Sequence, residues 1–412
     1  MVAGEQLIPH LFRTEYSKIV AVLCKQFGLQ HIEVAQDIAS ETFATAISSW
    51  PYRGIPEHPT AWLYTVARNK VKNYLRREQL FTSKIAGELS ADLKAENTPE
   101  PDLSESNIAD SQLRMLFAVC HPSISSEMQV ALALRVLCGF GIDEIATAFL
   151  TSKDNINKRL FRAKEKLRSE NIALTLPSHA EIGSRLQSVI TTLYLLFNEG
   201  YYSETNEAVI REDLCFEAMH LAHLLTTNKL TDLPEVHAIL ALMCFHASRL
   251  AARKDENGEM ILYADQDTTL WNQELIAKGV EYFHRSSLAN SVSRYHLEAA
   301  IAFMHTQHVD AVEKWAEILR LYNHLLMVAY SPVAALNRTY AFSKVHGKEK
   351  AIGEASKLNL INNHFYYLLL GELHQDLDNQ QAAIYYKQAL GLAKTTAEKL
   401  NITRKLESLA ST

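Results

Sequence analysis

Residues that can contact a polyanion are concentrated between positions 153 and 168. Seven of these residues are basic and two are acidic, whereas the whole chain has a formal net charge of −6. The polar side chains of interest are cations and one amide: Lys153, Asn155, Lys158, Arg159 and Arg162. Such groups hold phosphates and hydrogen-bond to base edges in a groove. The stretch therefore predicts a DNA-binding helix, and the alternative is a solvated helix that is merely basic.

Apolar spacing identifies the elements that would position these side chains. Two stripes recur at helical intervals, the first made of Ile142, Ile145, Ala146 and Phe149 and the second of Ile156, Leu160, Ala163 and Leu167. Only a short polar break containing Ser152 separates them, and Ser152 is suited to cap the second helix. Asp154 suits the positive end of that helix dipole. Two helices joined by so tight a turn predict a helix-turn-helix whose second helix enters the major groove.

A second basic surface is predicted on a helix that begins at Pro59. Its buried stripe is Leu63, Val66, Ala67, Val71 and Leu75, and the opposite side presents Arg68, Asn69, Lys72, Asn73 and Arg76. The aromatic residues Trp62, Tyr64 and Tyr74 lie nearby. Cations can hold the phosphates of a separated strand while rings stack on its bases. The alternative is a basic surface helix whose aromatic residues belong to the core.

Composition bounds the class of protein. The 412 residues are 48% hydrophobic and 21% charged, which is typical of a soluble globular chain with more than one domain. No apolar run reaches the roughly 18 to 20 residues that span a bilayer, so we expect no membrane contact and a cytoplasmic location. Ten prolines and fourteen glycines in long stretches of helical periodicity predict an all-α protein. The five cysteines lack paired spacing, so we expect buried thiols, with no metal and no cofactor.

The N-terminal part reads as three helices followed by a linker. The first spans residues 7–27 and ends at Gly28, the second runs from about Ile32 to Trp50, and the segment 51–59 reads as a loop. Residues 83–110 are polar and acidic, with Glu88, Asp92, Glu96, Glu100, Asp102 and Glu105. This composition predicts a linker. It is either an ordinary solvated tether or a segment that mimics nucleic acid.

Three blocks and their order resemble a bacterial RNA polymerase sigma factor of the sigma-70 family, in the extracytoplasmic-function group. Residues 37–43, DIASETF, look like its region 2.2, and residues 61–69, AWLYTVARN, look like regions 2.3 and 2.4. The helix-turn-helix looks like region 4. Residues 113–168, including Cys120-His121-Pro122 and 131–135, ALALR, are similar to a subgroup that carries a long tetratricopeptide-like C-terminal extension.

The resemblance implies roles for residues at matching positions. Asp37 and Glu41 would face the coiled-coil clamp of the largest polymerase subunit. The loop 52–58 and the helix with Arg68, Asn69, Lys72 and Asn73 would capture the −10 element as its strands separate. The residues Lys153, Asn155, Lys158, Arg159 and Arg162 would read the −35 element as duplex. Ser40 and Lys158 depart from the family pattern, which usually has Gln and often has Ser there.

After Pro177 the chain stays helical for more than 200 residues. Near its end, Val333, Leu336, Asn337 and Tyr340 recur 34 residues later as Tyr367, Leu370, Gly371 and His374. A 34-residue period with small residues at helix crossings predicts stacked helical hairpins. Three further stretches match the extension of the same subgroup: 193–201, LYLLFNEGY, then Asp265-Gln266-Asp267 with Trp271, and 332–338, PVAALNR.

An enzymatic interpretation would group Glu199, Asp265 and Asp267 as carboxylates for a metal or for acid–base work, with His296 nearby. The alternative is that these residues cap helices or pair with Arg211, Arg249, Arg253 or Arg338. Carboxylates this far apart carry no motif-level spacing, so we expect no enzyme.

The sequence as a whole predicts an all-α protein with two small helical DNA- and polymerase-binding domains, the second a helix-turn-helix, followed by a large tetratricopeptide-like array. The expected boundaries are 1–82, a linker at 83–110, 111–175 and 180–412. The expected function is promoter-specific initiation with core RNA polymerase and promoter DNA as partners, tuned by the array, where a regulatory protein or ligand could bind. The competing hypothesis is a ligand-responsive helix-turn-helix regulator that acts without polymerase.

Overall fold

The computed structural model describes residues 2–86, 100–149, 151–201, 211–253, 261, 263–288, 291–307 and 311–410. These residues form eighteen α-helices and no strand, which confirms the all-α prediction. The chain divides into two compact units, residues 1–193 and 194–412. Each unit is described by itself below. The four predicted domain boundaries stay predictions, and the helices of the first and third predicted domains lie in the same unit.

The first three helices are α1 (Val2–Phe27), α2 (Ile32–Arg53) and α3 (Pro59–Ala86). Gly28 ends α1 with φ +89°, in the left-handed region that favours glycine. Helix α2 continues through Pro51 and stops at Gly54, whose N–H donates to the Trp50 carbonyl at 3.0 Å. The predicted start of the loop at Pro51 is therefore wrong. A left-handed glycine, not the proline, terminates this helix.

Helix α1 is the centre of the first unit. It packs against α2 and α3, and also against α4 (Glu105–Val119) and α5 (Ser126–Val136). All six residues from Ile19 to Cys24 are buried, so this part of the helix has no solvent face. A helix that is apolar all round is typical of a helix buried between other elements.

The helix-turn-helix consists of α6 (Ile142–Ala148) and α7 (Lys153–Ser169), as predicted. The Ser152 hydroxyl accepts a hydrogen bond from the Asn155 backbone N–H at 3.2 Å, which confirms the predicted cap. The four stripe residues of α7 are all buried, and α7 packs against α5 and α6. This packing turns the polar side chains away from the core.

The predicted linker is partly helical. Residues 87–99, including Glu88, Asp92 and Glu96, lie outside the described residues. Helix α4 starts at Glu105, so the last six linker positions belong to it. Leu103 and Ile108 are buried against Val22 of α1, with Tyr64 alongside. Apolar burial at these two positions explains why the chain is ordered here although its composition is acidic.

The second unit begins within α8 (Ile182–Tyr201) and continues as a series of helices and short 3₁₀ turns. Its remaining helices are α9 (Glu212–Leu224), α10 (Pro234–Ala247), α11 (Gln273–Ser286), α12 (Arg294–Met304), α13 (Val312–Val328), α14 (Pro332–His346), α15 (Lys348–Ser356), α16 (His364–His374), α17 (Asn379–Leu392) and α18 (Thr396–Ala410). From α12 to α18, each helix packs against the next.

The 34-residue period corresponds to a structural repeat. Its two sets of positions lie in α14 and α16, which are the first helices of successive hairpins and contact each other. Three apolar clusters follow one another along the array, centred on α12–α14, α14–α16 and α16–α18. A chain of neighbouring cores is typical of stacked helical repeats. All five cysteines are buried and form no disulfide, as predicted. Within the described ranges, no helix has both the length and the hydropathy required to cross a membrane.

Gly371 is a position where close helix packing leaves no room for a side chain. A Cβ placed there would lie 2.5 Å from Cδ1 of Tyr386, which is fully buried. We predict that Gly371→Ala lowers the free energy of unfolding of the second unit by about 1–3 kcal/mol through overpacking. Thermal unfolding followed by circular dichroism measures the change.

Gly353→Ala is the matched control, because Gly353 lies inside α15 and a Cβ at this position would have no neighbouring atom within 4 Å. Alanine there is expected to raise stability by roughly 0.5–1 kcal/mol, because it favours the helix over glycine. Equal unfolding temperatures for the two variants would contradict the packing argument.

Candidate promoter and polymerase interfaces

The polar side of α7 is accessible along its first half. Asn155, Lys158 and Arg162 are exposed on the side opposite the buried stripe. In the part of the chain that the structure describes, neither Lys158 nor Arg162 has an ion pair or a hydrogen bond to another side chain. The Asn155 amide donates to Thr151 Oγ1 at 3.1 Å. Two cations and an amide are thus available to phosphates and base edges.

The other two predicted −35 residues have partners within the helices of the first unit. Lys153 forms an exposed ion pair with Asp143 of α6 at 2.7 Å. Arg159 approaches Glu127 of α5 at 3.2 Å. Exposed pairs of this type are weak and exchange easily for phosphate contacts. Among the predicted cations of α7, Arg162 and Lys158 therefore lose no ion pair with a described residue when they bind DNA, whereas Lys153 and Arg159 each lose one.

Phe161 is a further member of this face that the charge pattern did not single out. Its side chain is 64% exposed although it is a large apolar residue next to Arg162. An aromatic side chain at this place can contact a thymine methyl group in the major groove. Its exposure could have been predicted from the sequence, because Phe161 does not belong to the apolar stripe of α7.

The polar side of α3 is partly occupied by the end of the linker. Lys72 forms an ion pair with Glu100 at 2.5 Å, and Arg68 Nε donates to the Pro101 carbonyl at 3.2 Å. The Lys72 hydrogen bond and charge lower the pKa of the Glu100 carboxyl. A carboxylate and a carbonyl thus satisfy the two cations at the place where phosphates are expected.

The remaining polar residues of α3 and its aromatic residues differ in exposure. Asn69, Asn73 and Arg76 are exposed. The three rings all have internal contacts: Trp62 with Trp50 at 5.4 Å, Tyr74 with Phe27 at 6.2 Å, and Tyr64 through its hydroxyl to Glu15 at 2.5 Å. These contacts favour the core interpretation of the aromatic residues. Tyr52, in the last turn of α2, has a ring that is 90% exposed.

The residues predicted to contact polymerase lie on the exposed side of α2. Asp37 is exposed, and Glu41 is exposed and pairs with Lys70 of α3 at 3.1 Å. Glu33 lies one turn before Asp37 on the same helix. It approaches Lys164 and Arg168 from the second half of α7, at 3.8 Å and 3.6 Å. The acidic side of α2 and the basic helix α7 are therefore in direct contact.

One of the carboxylates considered for an enzymatic site has a structural role. Asp267 caps a short 3₁₀ turn by accepting from the Thr269 N–H at 2.9 Å. His296 contacts Ser293 and the Ser286 carbonyl, in a capping arrangement at the start of α12. Asp265 is exposed at the edge of a groove. Among the described residues, no three His, Cys, Asp or Glu side chains come together as a metal site requires.

Comparisons with known proteins agree with this arrangement. The model for sigma-70 region 2 matches residues 11–81, and the model for sigma-70 region 4 matches residues 114–167. The chain belongs to the sigma-70 family of RNA polymerase sigma factors, in its extracytoplasmic-function group. A family of unknown function (DUF6596) matches residues 185–287, which fall in the long C-terminal extension.

Three relatives illustrate the two levels of similarity. An uncharacterized protein of Rhizobium meliloti is 33% identical over 387 residues, covering 93% of this chain and 91% of that protein. The RNA polymerase sigma factor YlaC of Bacillus subtilis is 27% identical over 39% of this chain and 90% of its own length. The ECF RNA polymerase sigma-E factor of Haemophilus influenzae is 28% identical over 40% of this chain and 89% of its own. No solved structure matches the chain.

Membership of the family has direct consequences for this chain. Sigma factors bind core RNA polymerase and promoter DNA, and they act in transcription initiation without catalysing a reaction of their own. The α2, α3 and α7 faces described above lie within the matched regions. These three faces are therefore the candidate surfaces for binding polymerase and promoter DNA.

The −35 face can be tested at Arg162. We predict that Arg162→Ala weakens binding to promoter duplex by about 1–3 kcal/mol if Arg162 contacts a base, and lowers the salt slope by about one if it contacts a phosphate. Arg159→Ala is expected to lose less, because Arg159 gives up the Glu127 pair on binding. Affinity is measured with core polymerase present, at several salt concentrations.

Arg320→Ala is the control, because Arg320 is exposed in α13 of the second unit and pairs with Glu317. Unchanged affinity and unchanged salt slope in both α7 variants would show that this side of α7 does not face DNA.

Glu100 provides a test of the α3 face. Glu100→Gln removes the charge that pairs with Lys72, so single-stranded DNA with a −10 sequence should bind up to about five-fold more tightly, the range expected for an exposed pair. Fluorescence anisotropy with the labelled strand measures the change, and Glu349→Gln, exposed in α15, is the control. Identical affinities for wild type and Glu100→Gln would contradict competition between Glu100 and the strand.

Proposed function

We propose that this sigma factor directs promoter-specific initiation through three surfaces of its first unit. Asp37 and Glu41 of α2 contact the polymerase clamp. Residues 52–58, which span the last turn of α2 and the loop after it, capture the −10 strand together with Arg68, Asn69, Lys72, Asn73 and Arg76 of α3. The residues Lys153, Asn155, Lys158, Arg159 and Arg162 of α7 read the −35 duplex.

One observation carries most of this proposal: Lys158 and Arg162 lie exposed on α7, directly opposite a fully buried apolar stripe. A helix-turn-helix helix in this orientation presents its cations where a major groove would lie. The exposed Phe161 adds an apolar contact suited to base edges. Exposed Asp37 on α2 supports polymerase contact in the same unit.

We further propose that the C-terminal helices modulate this activity. Three consecutive apolar clusters give the array its own cores. A groove of about 670 Å³ lies between the 3₁₀ turn at Tyr263 and the end of α16, and Trp315, Tyr340 and Lys344 are among the residues that line it. This volume is in the range of small-molecule sites, and aromatic rings beside a cation also suit a protein partner. The volume and lining of the groove therefore suit a regulatory ligand or a regulatory protein.

The array is tested by a chain that ends at Leu193, the last residue of the first unit. This end keeps the part of α8 in which Thr192 donates to Gln129 at 2.7 Å and Arg185 to the Phe117 carbonyl at 2.7 Å. A cut after Pro177 would remove both contacts. We predict at least a threefold change in run-off transcription with core enzyme. A rise means that the array inhibits, and a fall means that it supports activity.

Equal transcription by the truncated and full-length chains would remove the array from promoter control, provided that circular dichroism shows the same helical first unit. A pull-down with core polymerase tests the rest of the proposal. Sequence-specific binding to duplex without any retention by polymerase would favour the ligand-responsive regulator instead.

A further inference from the structure

The groove between the 3₁₀ turn at Tyr263 and the end of α16 brings together two stretches of sequence that the promoter and polymerase interfaces leave unexplained. Asp265 belongs to the first stretch, at 265–267, and Asn337 to the second, at 332–338. Both side chains line the groove and both are exposed, so neither serves as a core residue. A concave site of about 670 Å³ has room for a small ligand or a short peptide.

Four of the residues that line the groove form a continuous row of rings. His305 packs edge-on against Tyr263, with ring centroids 5.0 Å apart, and against Trp315 at 5.9 Å. Tyr340 packs edge-on against Trp315 at 5.6 Å. Burial and two nearby cations lower the pKa of His305 to about 3, so its ring is uncharged at neutral pH. The row is therefore an uncharged aromatic surface, which suits apolar or aromatic groups of a ligand.

One end of this row carries a positive charge in excess. Lys344 Nζ lies 5.6 Å from the ring centroid of Trp315 and 5.5 Å from that of Tyr340. Over the described ranges, the Lys344 ammonium has no carboxylate partner. The other cations of this end are already paired with carboxylates: Lys348 with Asp376 at 3.3 Å and Lys405 with Glu372 at 2.6 Å. Lys344 is thus the lining cation that is available to an anionic group.

The opposite end of the row carries a negative charge. Asp265 follows Tyr263 by two residues, and no cation of the part that the structure describes pairs with its exposed carboxylate. Arg249 and Lys314 lie over the Tyr263 ring, at 5.3 and 5.6 Å from its centroid. Both are only 7% exposed, and neither lines the groove. Asp265 is therefore the charge that a ligand reaches at this end.

These features define the ligand that the groove would complement. An ammonium suits Asp265, a carboxylate suits Lys344, and apolar groups suit the rings between them. Three successive ring-to-ring intervals, each under 6 Å, correspond to about five extended residues at about 3.3–3.6 Å per residue. The exposed Asn337 amide offers a donor and an acceptor, as a peptide group requires. A free pentapeptide satisfies all of these conditions.

We propose that the groove binds a free peptide of about five residues, with its N-terminal ammonium on Asp265, its C-terminal carboxylate on Lys344 and apolar or aromatic side chains on the row of rings. Such a peptide would be the regulatory ligand of the array, a role that rests on the proposed function. An internal segment of a protein has no charged termini for the two ends of the groove. A free amino acid is too short to reach both ends.

Selection from synthetic pools of random pentapeptides tests the proposal on the full-length chain. One pool has free termini, a second is acetylated at the N-terminus and a third is amidated at the C-terminus. Peptides that the protein retains during ultrafiltration are identified by mass spectrometry. We expect retention from the free pool, with apolar or aromatic residues enriched at the central positions, and about tenfold less from either blocked pool.

No retention from the free pool would overturn the proposal. Equal retention from all three pools would also overturn it, because it would point to an internal segment of a protein as the occupant.

One retained peptide then tests the two ends of the groove separately. Lys344→Met removes the ammonium, so the Kd of the free peptide should rise about tenfold or more, the loss expected for a hydrogen bond to a charged group, and the preference over the amidated form should disappear. Asp265→Asn should weaken binding similarly and remove the preference over the acetylated form. Lys350→Met and Glu349→Gln are the matched controls, because both residues are exposed in α15 and neither lines the groove.

Unchanged affinity in both the Lys344→Met and Asp265→Asn chains would contradict the assigned groove. Equal affinity for single amino acids and for the pentapeptide would contradict binding from end to end. These measurements need neither polymerase nor DNA. An array that leaves transcription unchanged would therefore count against the proposed function, while peptide binding is decided by the selection and the variants.

Discussion

The burial of one apolar stripe on α7 determines what the first unit can offer to DNA. Ile156, Leu160, Ala163 and Leu167 are buried, and α7 packs against α5 and α6. Successive residues of a helix are separated by a fixed angle. Because this stripe is buried, Lys158 and Arg162 must face solvent. The orientation of the candidate reading face thus follows from hydrocarbon burial, while the polar residues supply chemistry without holding the helix in place.

Apolar burial also fixes the position of helix α1, which lies at the centre of the first unit. Its residues from Ile19 to Cys24 are buried on every side because α2 and α3 lie against it together with α4 and α5. Because α1 packs against helices of both matched regions, the charged surfaces of those regions lie close to each other. The Glu33–Arg168 and Lys25–Asp110 pairs are a consequence of that proximity.

The chemistry of these internal pairs resembles the chemistry of the expected partners. Lys72 on Glu100 and Lys153 on Asp143 are cation–carboxylate pairs with largely exposed side chains. Such pairs contribute little to folding, and a phosphate can replace the carboxylate at small cost. A protein that neutralises its own cations in this way keeps them positioned while it is not bound to DNA. The second unit has its own consecutive cores, so its packing needs no help from this electrostatic arrangement.

Local sequence determined much of this protein. Stripe spacing, the Ser152 cap and the glycine at position 28 were enough to predict α1, α6 and α7, because helix formation and helix ends depend on neighbours within a few positions. The 34-residue repeat likewise predicted α14 and α16. Its closest approach, Gly371 against Tyr386, became visible only in the packed array.

Tertiary structure alone decided which charges are paired and which rings are buried. Glu33 meets Lys164 across 131 positions of chain, and no periodicity relates them. From the sequence, Tyr64 is expected to stack on bases. In the structure its hydroxyl donates a hydrogen bond to Glu15. The run Ile19 to Cys24 did hold an unused signal, since a helix apolar all round must be covered on more than one side. Sequence periodicity reports which side of a helix is buried, but the partner that buries it is set by the packing of distant segments.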